Sequence, residues 1–169
     1  MSLFLTLRVL HFITGVFWAG SVFFLVSFLM PSLRDAGPDG AKVFAALRAR
    51  RVFNWTPVVA FISVASGTWL YVLRIQMSSD WARGREAMVF GLGMVASILA
   101  LVVGLVVMRS NSLKAADLGI EAGAMPAGAE RDAKVALAQK LRVRAMMGGR
   151  AVATLLLFTV VTMAIAKYV

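Results

Sequence analysis

The sequence predicts an all-α protein: an integral membrane bundle of four antiparallel helices, with the N- and C-termini outside the cytoplasm. Three observations carry this. The first is composition. Sixty per cent of the 169 residues are hydrophobic, and the mean hydropathy is +0.83. Soluble domains are nearer ~45–50% apolar, and a chain of this size has too much surface to hide the excess in a core. The second is four separate apolar runs. The third is the placement of the basic residues, which gather in alternate connections between those runs.

The runs lie within one membrane domain, 1–169, at roughly 9–30, 56–73, 88–108 and 151–166. Each approaches the ~20 residues that a helix needs to cross a ~30 Å hydrocarbon layer. None holds Asp, Glu, Lys or Arg in its interior, and a central charge would cost at least ~2.5 kcal/mol. Val95-Ala96-Ser97-Ile98-Leu99-Ala100-Leu101-Val102-Val103 does not alternate apolar with polar, as a barrel strand would. Pro31 ends the first run, and Pro57 is read as opening the second in its first turn, where a missing N–H matters little. The first run is longer than a signal-peptide core and is read as retained.

Orientation comes from Lys and Arg. The connection 31–55 holds Arg34, Lys42, Arg48, Arg50 and Arg51. The connection 109–150 holds Arg109, Lys114, Arg131, Lys134, Lys140, Arg142, Arg144 and Arg150. The intervening one has only Arg74, Arg83 and Arg85, so the two rich connections are the cytoplasmic loops. Arg8 and Lys167 fall on the outer side and pull slightly the other way. The formal charge of +10 is thereby assigned to an anionic leaflet and not to nucleic acid.

Inside the cytoplasmic connections, 41–52 and 130–147 show helical spacing. They either run into the following helix or lie along headgroups. Gly37-Pro38-Asp39-Gly40 reads as a turn and 119–128 as a flexible loop. Small residues mark contact faces: Gly15 and Ala19 in the first run, Ser63 and Gly67 in the second, and Gly93, Ala96, Ser97, Ala100 and Gly104 in the third. The fourth run has few glycines and is expected to face lipid or a neighbouring subunit. Trp55, Trp69, Tyr71, Trp81 and Tyr168 sit near the run ends, as interfacial anchors do.

One residue invites chemistry. His11 is the single histidine, on a helical face with Gly15, Trp18, Val22, Leu25 and Leu29, in the outer third of the first run. Met77, Met88, Met163 and Met94 fall near the same depth. Imidazole with thioether suits Cu(I), and His with His or Met suits a b-type haem. The candidate cofactor-binding residues are therefore His11, Gly15 and Trp18, and the candidate metal ligands are His11, Met88 and Met163. One histidine per chain leaves two haem arrangements open: His with Met inside one chain, or two His11 residues across a symmetric pair. The chain has no cysteine, which excludes thiolate ligation and a disulfide framework. No acidic residue within a run argues against a carboxylate proton relay. No phosphate-binding loop, zinc-protease helix or nucleophile elbow is present.

Leu10-His11, Gly15, Trp18, Gly20 and Phe24 form an L-H-x3-G-x2-W-x-G-x3-F pattern. It resembles the first helix of CopD-like bacterial membrane proteins. It is also similar to the membrane part of cytochrome-type urate oxidases and to a haem-associated family of small four-helix proteins. The resemblance covers about 25 residues and the four-helix layout. It implies a multi-pass protein of the bacterial inner membrane, with His11 as a ligand of haem b or copper, active in electron transfer or metal handling. A quinol or periplasmic electron carrier would then be its partner. The chain departs from the haem-type patterns by lacking histidine in the other three runs. The alternative function is a non-enzymatic subunit or assembly factor of a larger membrane complex, or a homo-oligomer; a small-solute channel is a third.

Overall fold

The computed structural model describes residues Leu3–Val169, and the elements among them are all helical. Four helices are long and apolar enough to cross a membrane: α1 (Leu3–Asp35), α3 (Val52–Met77), α5 (Arg85–Gly123) and α6 (Ala129–Tyr168). Two short ones, α2 (Pro38–Ala49) and α4 (Ser79–Arg83), fill the connections. All four long helices overrun their apolar runs. At 1.5 Å per residue, α5 and α6 are each about 60 Å long, twice what a hydrocarbon layer needs.

The excess forms a hairpin. Residues 110–123 of α5 lie against the first half of α6, closed by a short turn at 124–128. Ala115 and Ala122 on one strand of the hairpin, and Ala138, Leu141 and Ala145 on the other, are buried. Alanine spacing lets the two backbones approach closely. Lys134 Nζ to Glu121 (2.9 Å) and Arg48 to Asp117 (2.8 Å) tie the hairpin to itself and to α2. Such exposed pairs contribute only ~0–1 kcal/mol each. The stretch 119–128 is thus helical as far as Gly123, and the non-helical part is only 124–128. Of the two courses open to 130–147, the structure takes the one that runs on into α6.

The segment 41–52 behaves differently. α2 stops at Ala49, and Arg51 adopts a left-handed conformation (φ 58°) that turns the chain into α3. At the other end of α2, Gly37 has φ 56°. A Cβ on Gly40 would sit 1.8 Å from the Leu33 carbonyl oxygen, so only glycine permits this close return. Helix α3 starts at Val52, five residues before Pro57, so Pro57 lies inside the helix and does not open it.

The long helices form a ring in which α1 packs on α3, α3 on α5, α5 on α6 and α6 back on α1. The closest pairs are α1 with α3 and α5 with α6. Trp18, Val22, Ala60, Ala100, Val152, Ala153 and Leu156 make the central core. The predicted small-residue faces turn inward: Ser63, Gly93, Ala96, Ser97 and Ala100 are all buried. Outward, α1, α3 and α5 carry a belt of large apolar side chains, among them Phe12, Phe17, Phe61, Val95 and Val106, all exposed.

The expectation that the fourth run faces lipid more than the others is also overturned. The fourth run, α6, is not the outermost helix but the most enclosed: 39% of its most apolar stretch is buried, against 17% for each of the others. Gly148 and Gly149 lie just before the run begins at Ala151. With Val152, Ala153, Leu156, Thr159 and Thr162 they form a buried face that a reading confined to the run misses.

Two wide, π-helical turns interrupt α1 at Leu25–Leu29 and α5 at Gly104–Arg109. Both lie in the half of the bundle nearer the hairpin.

Gly148 tests the α5–α6 contact where it presses on backbone as well as side chain. A Cβ there would stand 2.8 Å from Val107 Cγ1 and 3.1 Å from the Met108 backbone nitrogen. Gly148→Ala should therefore destabilise by roughly 1–3 kcal/mol through overpacking. Gly20→Ala, with nothing within 4 Å, should be neutral or gain up to ~1 kcal/mol from helix propensity. Denaturant unfolding in mild detergent, followed by circular dichroism, checks both.

Candidate functional site

His11 and Gly15 lie one turn apart on α1 and face α3. Opposite Gly15, the Ser63 hydroxyl would be 3.3 Å from an added Cβ. Opposite His11 is Gly67, whose Cβ, if it had one, would stand 2.6 Å from His11 Cε1 and 2.8 Å from Nδ1. The imidazole therefore rests directly on the α3 backbone, in a seat that only glycine leaves open. There Nδ1 is 2.8 Å from the Ser63 carbonyl oxygen. A carbonyl only accepts, so this geometry assigns the proton to Nδ1. Nε2 is left with its lone pair and has no hydrogen-bond partner among the described residues. A ligating histidine is usually oriented in this way, one ring nitrogen bonded to a carbonyl and the other free.

The surroundings of this seat are hydroxyl-rich. The Ser66 hydroxyl donates to Ile62 O (2.6 Å) and also lies 3.1 Å from Ser63 O, the carbonyl that His11 uses. Thr14, one turn further along α1, donates to Leu10 O at 2.7 Å. On the opposite helix pair, Thr159 Oγ1 reaches Gly93 O at 3.2 Å and Leu155 O at 2.9 Å. Ser97 donates to Met94 O. Ser63, Ser66, Ser97, Thr159 and Thr162 are all buried, and the hydroxyls of the last four donate to backbone carbonyls. Most of these bonds stay within one helix, and only Thr159 to Gly93 O joins two.

The methionines lie elsewhere. Met163 packs against Gly93 at the α5–α6 contact, while Met88 and Met77 are 61% and 70% exposed. Trp18 is in the central core, two turns inward from His11. His11 and Gly15 are thus brought together on the α1–α3 contact, whereas Met88 and Met163 belong to the other helix pair. No cluster of three His, Cys, Asp or Glu side chains occurs among the described residues. One chain supplies a single imidazole, so a bis-His centre needs a second copy.

A second constellation has no sequence signature. Pro57 has no N–H, so the Phe53 carbonyl one turn earlier lacks its normal helical donor. Arg109, from the wide turn of α5, supplies one: its Nε donates to Phe53 O at 3.0 Å and its Nη2 to Asn54 Oδ1 at 2.8 Å. The sequence reading counts Arg109 only as an orienting charge. Its role appears when Pro57 is placed opposite it. At the other end of the same helix pair, the Tyr71 hydroxyl donates to Ala87 O at 3.1 Å, packed against Gly91. Tyr71 also meets Trp81 edge-on at 5.7 Å, and Arg74 lies over the Trp81 ring.

No family model, curated protein or solved structure matches this chain.

The seat predicts a coupled pair. Gly67→Ala alone should destabilise by roughly 1–3 kcal/mol, because the new methyl collides with the ring. With His11→Ala in the same chain, the added penalty should largely vanish, leaving a coupling of about 0.5–3 kcal/mol. A double-mutant cycle of unfolding free energies reads this directly, and additive effects would refute the seat.

Proposed function

We propose that this chain is a multi-pass protein of a bacterial inner membrane, with both termini outside, and that His11 is the single ligand each copy offers to a haem b or copper centre. The membrane part is supported by four helices of sufficient length and apolarity, by the exposed apolar belt and by the basic connections on one side. Lipid is the solvent such a belt requires. The first-helix resemblance to CopD-like proteins supports the location and the class of cofactor.

The observation that carries the ligand reading is the His11–Ser63 hydrogen bond. It holds the ring, sets the tautomer and leaves Nε2 as a lone-pair donor of the kind that haem iron or Cu(I) accepts. The protein's own work is orientation: the Gly67 seat fixes the ring plane, and the bond to Ser63 raises the basicity of Nε2. The second ligand comes from another chain, in a homo-oligomer or a larger complex. A bound haem or copper would supply one-electron chemistry, exchanged with a quinol or a periplasmic carrier.

The second reading is a non-enzymatic membrane subunit in which His11 is a helix clamp. The same Gly67 seat favours it, because ring packing plus one carbonyl bond already accounts for the residue.

Gently purified protein separates the two. The ligand reading expects a Soret band or bound copper that His11→Ala abolishes; wild type lacking both would refute it. The clamp reading expects a colourless protein whose co-purifying partner, seen by native mass spectrometry, survives loss of the imidazole. Orientation has its own check, made simple by the absence of cysteine. With a membrane-impermeant maleimide on intact cells, Tyr168→Cys should label, and Gly123→Cys should label only after permeabilisation.

A further inference from the structure

The two helices of the hairpin do not close on each other completely. Between the end of α5 and the start of α6 lies a cleft of about 210 Å3. A cavity of ~150 Å3 already holds benzene, while drug-sized ligands take ~300 Å3 or more. The cleft therefore suits a small ligand. Ala122 and Ala138, each 2% exposed, line its depth, with Gly119 and the half-exposed Val135 beside them. These small side chains leave the room.

Two arginines line the same cleft. Arg131, Val135, Ala138 and Arg142 follow helical spacing, so they share one face of α6. Arg142 Nη2 would stand 3.3 Å from a Cβ on Gly119, so its guanidinium lies against α5 where a larger residue would displace it. Among the described residues neither arginine belongs to an ion pair. The hairpin's Asp117 and Glu121 are taken by Arg48 and Lys134, and Glu130 and Asp132 are not among the cleft's walls. Each guanidinium carries five donors in a planar fork that matches the oxygens of a phosphate. Two such forks over an apolar floor are complementary to a phosphate with a short carbon body.

We propose that this cleft binds a small water-soluble phosphomonoester, its phosphate accepting from Arg131 and Arg142 and its carbon body resting on the alanines. A lipid headgroup offers the same phosphate, but depth argues against that source. Gly119 lies roughly 16 Å past the end of the apolar run at Met108, at ~1.5 Å per residue. Each headgroup layer is only about 5–8 Å deep, so the cleft stands in the aqueous phase. The membrane orientation argued above makes that phase the cytoplasm. The site is independent of any cofactor at His11.

The test uses full-length protein in phosphatidylcholine nanodiscs, which leave both faces accessible, and equilibrium dialysis of radiolabelled glycerol phosphate. Salt is held at ~0.15 M, where screening confines charge effects to about 8 Å. Wild type should bind one glycerol phosphate per chain, saturably. Arg131→Gln and Arg142→Gln should each weaken binding about tenfold or more, as loss of a hydrogen bond to a charged group does. Gly119→Leu, which keeps both cations and fills the cleft, should do the same. Arg144→Gln removes the same charge from another face of α6, about 200° round from Arg142, and should leave binding unchanged. A loss there equal to that of Arg142→Gln would reduce the effect to net charge and overturn the proposal. Wild type that does not bind, or binding that all three cleft variants keep, would overturn it too. Nanodiscs containing phosphatidylglycerol should bind glycerol phosphate as well as neutral ones do; displacement by that lipid would give the arginines to a headgroup and refute the water-soluble ligand.

Discussion

The bundle depends on one recurring contact: a side-chain donor of one helix reaching a backbone carbonyl of the next. His11 reaches Ser63 O, Tyr71 reaches Ala87 O, Arg109 reaches Phe53 O, and Thr159 reaches Gly93 O. Each carbonyl has a second lone pair to offer, or, at Phe53, a first one that proline leaves unused. Between apolar helices in lipid there is little hydrophobic drive to associate, so close packing and such polar bonds decide which faces meet. Three of the four contacts come with a glycine beside them: Gly67 under His11, Gly91 under Tyr71, and Gly93 against Thr162. The glycine removes the side chain that would hold the helices apart, and the donor then closes the distance.

This arrangement makes the two halves of the bundle different. In the half nearer the termini, α1 and α3 touch at Gly15 and Gly67, and α5 and α6 at Gly93, with buried hydroxyls bonded to carbonyls. In the half nearer the hairpin, proline and two wide turns disturb the helical ladder around a small apolar void of about 60 Å3. Arg109 bridges that disturbed region, and its bond to Phe53 replaces the one that Pro57 cannot make. In the orientation proposed here the regular half carries His11 toward the outer face, and the half with the wide turns meets the cytoplasmic leaflet.

Much of the fold was legible residue by residue. The stripe Gly93, Ala96, Ser97 and Ala100 read as a contact face and is buried, because helical spacing alone puts those small residues on one side. Helix α6 was misread because its glycines, Gly148 and Gly149, precede the apolar run and were counted with the charged connection. Pro57 was read as a first-turn residue because the turn before it, Val52 to Thr56, holds Asn54 and lowers the local hydropathy. His11 was legible as a ligand type. Its acceptor was not, since a backbone carbonyl has no letter in the sequence.

The sequence by itself determined how many long helices form and which stretches are too apolar for water, because length and hydropathy are additive along the chain. It also determined which small residues share a face, because that follows from 3.6 residues per turn. Only the tertiary structure decided which carbonyl each donor meets, that α6 is the enclosed helix, and that Arg109 stands opposite Pro57. Those depend on the register and rotation of one helix against another. Periodicity leaves both free, and they are settled only when the ring of four closes and each donor must find an acceptor within about 3 Å.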